Sequence, residues 1–390
     1  MSMKKWALAK EEDGAVGEVA VVVADAEQTC DAVEEAHEEI ASLGDAIDEA
    51  VEAHEDLGIV TEVAQESLAS GGMDAFAARL AHRVLDKVSA KLGQAAPTFS
   101  KESYSSTRTR SASTTYTQES VKEKAKKVWE TIAQFFANLL RMVVDFVNKV
   151  LGRGAEALKK RAKALVEAAG KKSTKHTAEE SEFDYHAINT VATSKGSDVT
   201  HIANATKSLA GATAVIKGGT EMMVKMVAAT TLEELLRLEE EAADKYDNAI
   251  GELPGGWTVK KDDDEKTAKL ERNDPEAKSE VKLPSVKEIK TLAEDVGAVA
   301  DAAKKADDLV KSVEKSLKEV IEHVNKAKNA LGDTATDDQK SDAKVALAKA
   351  KAARTTIVEV MIGLSKLQIS GGNAVLGYAE AALRQYKKED

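Results

Sequence analysis

Residues 120–151 read SVKEKAKKVWETIAQFFANLLRMVVDFVNKVL. Trp129, Ile132, Phe135, Phe136, Leu139, Leu140, Val143, Val144, Phe146, Val147, Val150 and Leu151 recur at helical spacing and cover most of a helix surface. Polar residues keep to one narrow stripe: Glu130, Gln134, Asn138, Arg141, Asp145 and Asn148. Ser120 and Glu123 have the spacing of a capping box, which predicts the helix start there. A helix this apolar is either buried centrally or laid against a membrane. Arg141 and Asp145 favour burial, because both would be awkward in lipid. Trp129, Phe135, Phe136 and Phe146 are its aromatic anchors. Gly152 and Gly154 predict an interruption, after which the helix continues as a basic segment to about residue 169.

The rest of the chain has the same character. It holds 390 residues, 43% hydrophobic but only 4% aromatic, with four prolines. Ala, Lys, Glu, Val and Leu dominate, which favours long helices over sandwiches or barrels. The expected class is all-α: long helices and helical hairpins, with a small irregular or β-hairpin insertion near 254–284.

Five regions are expected. Residues 1–102 form an acidic helical region. Within it, 14–57 hold one or two amphipathic helices broken at Gly44, and a further helix at about 74–92 stops at Gly93. Residues 103–119 form a linker, part of a Ser/Thr-rich, apolar-poor tract over 97–118 that lacks the surface to order itself. Residues 120–250 form an apolar and basic helical core, with a polar connector at 170–182 and two helical stretches divided at Gly218-Gly219. Residues 251–284 hold Pro254, Pro275 and Pro284 and a short hairpin around the acidic tip Asp262-Asp263-Asp264. Residues 285–390 carry apolar stripes on both sides of Gly332-Asp333. They predict an antiparallel hairpin of two helices, each about 65 Å long.

The net charge of −12 is unevenly spread. Residues 1–66 hold 3 Lys and 19 Asp/Glu, whereas 67–175 hold 21 Lys/Arg and 9 Asp/Glu. In the second segment Lys122, Lys124, Lys126, Lys127, Arg153, Lys159, Lys160, Arg161 and Lys163 form clusters able to neutralise phosphates without sequence specificity. A solvated helix face is the plain alternative.

No catalytic site can be assembled, so an enzyme is not expected. P-loop, dinucleotide, Gly-x-Ser-x-Gly, HExxH and CxxC patterns are all absent. The histidines are scattered without metal-ligand spacing, and neither a metal nor a cofactor is expected. Cys30, the one cysteine, lies on an apolar helix face and reads as a core residue. No secretory leader is read at the N-terminus, and no run is apolar enough for a spanning helix.

Residues 67–152 carry a family resemblance. The runs SLASGGMDAFAARLAHRVLDKVSAKLG and FSKESYSSTRTRSASTTYTQESVKEKAKKVWETIAQFFANLLRMVVDFVNKVLG resemble the internal head proteins of large tailed bacteriophages. Gly71, Gly72, Leu92, Gly93, Glu102, Ser103, Arg108, Glu119, Ser120, Val121, Lys122, Glu123, Trp129 and Glu130 carry it. These are helical inner-capsid proteins packaged with the genome. The resemblance implies an N-terminal propeptide, cut by the prohead protease after the glutamate of a small-x-Glu motif. Ser100-Lys101-Glu102, followed by Ser103, is the best placed motif, and Ala64-Gln65-Glu66 is second. The implied partners are that protease, packaged genomic DNA bound non-specifically, and capsid or other internal proteins. The implied location is the capsid interior, and the host cytoplasm after ejection. The alternative is a helical interaction protein working through 285–388, or a membrane-active effector working through 128–151.

Overall fold

The run at 120–151 lies inside a longer helix than its own sequence marks. The computed structural model describes residues 14–95, 97–176, 182–247, 249–262, 267–275, 277–305, 310–330 and 337–388. Helix α3 spans Thr107–Asp145, and its N-cap is Ser106, whose side chain accepts from the Thr109 amide. Ser120 and Glu123 therefore sit mid-helix and cap nothing. The Ser/Thr tract is not an open linker. Thr114 and Thr117 are fully buried, and their hydroxyls donate to the Arg110 and Ser113 carbonyls one turn back, at 2.8 and 3.0 Å. A hydroxyl satisfied by its own helix can be buried as though it were apolar. A count of apolar residues misses that.

Helix α3 passes into α4 (Gly152–Ala169) through a π-helical turn at Phe146–Leu151. Gly152 and Gly154 do not interrupt the rod. Upstream, α1 spans Gly14–Ala69 and runs straight through Gly44. A lone helical glycine costs about 1 kcal/mol, less than the packing of a long helix supplies. Helix α2 (Ala75–Lys91) folds back on α1 after a turn at Gly71 and Gly72, with φ of 90° and 104°. Lys87 links the pair, with its Nζ 2.8 Å from Glu52 and 3.1 Å from Asp56. Helix α1 makes its most extensive contact with α3 and also lies along α4.

Helix α5 (Val199–Ala228) does not break at Gly218-Gly219, and α6 (Leu232–Tyr246) begins only after residues 229–231. The glycines are there for proximity. A Cβ on Gly218 would lie 2.9 Å from the Tyr246 hydroxyl of α6. The doublet is a point of close approach between helices rather than a stop.

Among the described residues, three two-stranded antiparallel sheets accompany the helices. Residues 170–182, expected as a plain connector, contribute β1 (Lys172–His176), and β2 (Glu182–Asp184) follows. Strands β3 (Trp257–Lys261) and β4 (Ala268–Arg272) form the expected hairpin, with Val259 opposite Leu270. Asp263 and Asp264 of its acidic tip lie outside the described residues. Strand β5 (Glu280–Lys282) pairs with β2, and β6 (Tyr386–Lys388) with β1.

Ser285 and Glu288 form a complete capping box on α7 (Val286–Lys304). Helix α8 (Val310–Ala330) follows. The chain doubles back through α9 (Asp337–Thr355), a second π turn at Thr356–Ile362 and α10 (Gly363–Leu383). Helix α8 packs on α9 and α7 on α10, while α7 also packs extensively on α4. The Gly332-Asp333 turn lies outside the described residues. Gly372 lets α10 approach α4, since a Cβ there would meet Leu158 at 2.8 Å. Ten α-helices and three small sheets among the described residues make the fold all-α, with a small β insertion.

Candidate functional site

The small-x-Glu motif lies on a short turn between two helical units. Ser100 is extended, and Lys101–Tyr104 form a single 3-10 turn. Ser100, Lys101 and Glu102 are exposed, and Ser103 is half-buried. The turn is held by the Ser103 amide donating to the Ser100 carbonyl and by the Ser105 amide and hydroxyl donating to the Glu102 carbonyl. Just beyond, the chain is pinned. Tyr104 is buried, its hydroxyl 2.6 Å from Thr117 Oγ1 and 3.3 Å from His82 Nε2, and its carbonyl accepts from Arg110 Nε. Ala64-Gln65-Glu66 lies within α1, with Ala64 fully buried. An endoprotease reads an extended backbone, so a one-turn surface segment opens more readily than the middle of a long packed helix.

Thr114 and Thr117, expected in an unordered tract, and Tyr104, which no motif marks, are buried here, and one sequence signal points to them. Tyr104 is an aromatic residue in a tract of hydroxyls, two residues past Glu102.

The basic residues divide by position. Lys126, Lys127, Arg153, Lys159, Lys160 and Lys163 are exposed and Lys122 is half-buried. Lys127 pairs with Glu130, Lys159 with Asp301 and Lys160 with Glu156. Lys124 and Arg161 are buried, Lys124 against Ala95 of the N-terminal region and Arg161 against partners within 103–390. The Lys124 ammonium donates to the Ala95 carbonyl at 3.3 Å. Arg161 Nε and Nη2 donate to the two carboxylate oxygens of Glu380 at 2.8 and 2.9 Å, and its Nη1 donates to Asn373.

Trp129, Phe135, Phe136 and Phe146 are all buried within the protein. Among the described residues no helix is long and apolar enough to cross a membrane. Nor does any group of three or more His, Cys, Asp or Glu residues there have the geometry of a metal site. Two small cavities among the described residues hold only about 30 and 20 Å³, room for a water or two.

A family model described as phiKZ-like phage internal head proteins matches residues 18–381. The chain belongs to that family. No curated protein and no solved structure matches it. As an internal head protein it is a structural component of the phage head interior.

In this internal head protein the seam between α1 and α3 has a titratable centre. The His54 ring of α1 stands edge-on to Trp129, with centroids 5.1 Å apart at 71°. Burial pushes the His54 pKa down from 6.5 to about 4. The folded state therefore holds the neutral imidazole. Its contribution is intact above pH 6.5 and is lost as pH falls towards 4. At 1.36 kcal/mol per pH unit, the loss across that window is about 2–3 kcal/mol. Urea titrations at pH 7 and pH 4 should show this fall in the wild type in excess of that in His54→Gln. Equal falls in both proteins would remove His54 as the cause.

Proposed function

We propose that residues 1–102 are a propeptide and that the head-maturation protease removes them after Glu102, leaving 103–390 inside the capsid with the genome. The observation that carries this reading is the position of Glu102, exposed on a single turn between two helical units. Charge supports it. Residues 1–102 hold 8 Lys/Arg and 22 Asp/Glu, and 103–390 hold 47 and 45. Removal changes the net charge from −12 to +2. The acidic segment would oppose contact with a polyanion before packaging, and its loss would permit it.

The surface offered to DNA is the exposed set Lys126, Lys127, Arg153, Lys159, Lys160 and Lys163, with Lys122 at its edge. Several of these already pair with carboxylates. Binding would be weak, indifferent to base sequence and sensitive to salt. Ejection with the genome into the host belongs to the same reading, as do contacts with capsid or other internal proteins.

The experiment is to purify virions and read the N-terminus of this protein by mass spectrometry. Ser103 is the expected first residue. A mature chain beginning at residue 1, or at Ser67, would overturn the assignment of Glu102.

A further inference from the structure

We infer that residues 103–390 carry a groove fitted to an acidic amphipathic helix, that α1 with α2 is its occupant, and that cutting after Glu102 leaves the two pieces bound as a noncovalent complex. The biological setting rests on the propeptide reading, but the physical claim does not.

The contacts that hold residues 1–102 in place lie away from the Glu102–Ser103 bond. Helix α1 lies along α3 and α4 and buries Ile40, Ala53, Leu57, Val60 and Ala64. Val121, Val128, Trp129 and Ile132 of α3 are buried on the other side of the cut. An apolar helix face laid into an apolar groove is a common mode of helix recognition between separate chains.

Polar contacts across the cut point the same way. The Met73 amide donates to Thr114 Oγ1 at 2.8 Å, Lys124 reaches the Ala95 carbonyl, and Arg354 lies 3.2 Å from Asp48. None of them depends on the scissile peptide. Gly72 sets the fit at the turn. Its φ is 104°, and a Cβ there would stand 2.5 Å from the backbone of Arg110.

Charge adds a long-range attraction. Residues 1–102 carry 8 Lys/Arg and 22 Asp/Glu, and the facing 103–175 carry 16 and 6. Cutting and release are then separate events. The first needs only the surface turn to open, and the second needs a buried helix to leave.

The test uses the full chain with the recognition sequence of a site-specific protease inserted between Glu102 and Ser103. After complete cutting at neutral pH, the two pieces should co-elute on size exclusion at the volume of the uncut chain. With Trp6 and Trp257 replaced by Phe, so that Trp129 alone emits, the emission should stay blue, and the pieces should part only in urea. Two separate peaks in native buffer, with red-shifted emission, would overturn the inference.

If that insertion prevents folding, a second insertion between Gly93 and Gln94 makes the same test, because the seam and not the turn holds the pieces. Gly72→Val in the cut protein should raise the dissociation constant at least tenfold, and an unchanged constant would count against the fit described. Failure of the propeptide reading would appear in the virion N-terminus, whereas failure here appears on the column.

Discussion

Trp129→Ala will lower the unfolding free energy by about 3–5 kcal/mol, the range for emptying a large aromatic site in a packed core. Trp129 is fully buried and heads the large side chains enclosed in this protein. It lies on α3 beneath α1, edge-on to His54. Two long helices cannot both close on the void without giving up their other contacts, so relaxation will recover little. Helix α1 also packs on α4, α10 and both π turns, which fixes its position from several sides.

Trp129→Phe should lose far less. It keeps most of the ring, and the buried indole Nε1 it removes has no protein hydrogen-bond partner. Urea unfolding followed by far-ultraviolet circular dichroism measures both. A loss below about 1 kcal/mol for Trp129→Ala would mean that the seam collapses freely, contrary to close packing.

Arg161→Ala will cost a similar amount, about 3–5 kcal/mol, for an electrostatic reason. Arg161 is 4% exposed and Glu380 9%, and the guanidinium fork meets both carboxylate oxygens. Removing the arginine strands a carboxylate between α4 and α10. The penalty comes from that stranded charge, so Arg161→Met combined with Glu380→Leu should recover most of the loss. Thermal or urea unfolding of the two single variants and the double checks it. If the double variant is no better than Arg161→Ala alone, shape rather than charge governs the site. Weaker DNA retention by Arg161→Ala would report a damaged body, since that side chain does not face solvent.

Why the sequence misled at Arg161 is itself physical. Lys159, Lys160 and Arg161 read as one basic cluster, but successive residues on a helix turn by about 100°. Two cations face water and the third faces the core. A signal existed: Arg161 continues the stripe of Leu158, Ala162 and Leu165, all buried. Its partner Glu380 lies 219 residues away and could not be seen from local pattern.

Helix class was legible because composition and period agree along most of the chain. The hairpin at 257–272 was legible from its bracketing prolines and glycines. Breaks were not. Gly44 and Gly218-Gly219 look like punctuation, yet one is carried by the packing of a long helix and the other admits a tyrosine. The Ser/Thr tract failed for a related reason, since Thr114 and Thr117 are polar only until their own helix satisfies them. The motif marks Glu102 but says nothing of its conformation; the exposed turn there is followed by the buried anchor Tyr104, which the motif does not contain.

The two π turns at Phe146–Leu151 and Thr356–Ile362 line the same small apolar cavity through Phe146, Val147, Leu151, Ile357, Met361 and Ile362. A π turn accommodates about one residue more than an α turn. Each therefore acts as a phase adjuster, resetting the angular heading of everything downstream by about 100°. Arg161 follows the first adjuster and Glu380 the second. Their meeting across the core thus depends on two spare residues far from either side chain. One residue lost from either turn would leave every helix intact and aim the guanidinium or the carboxylate at the wrong neighbour.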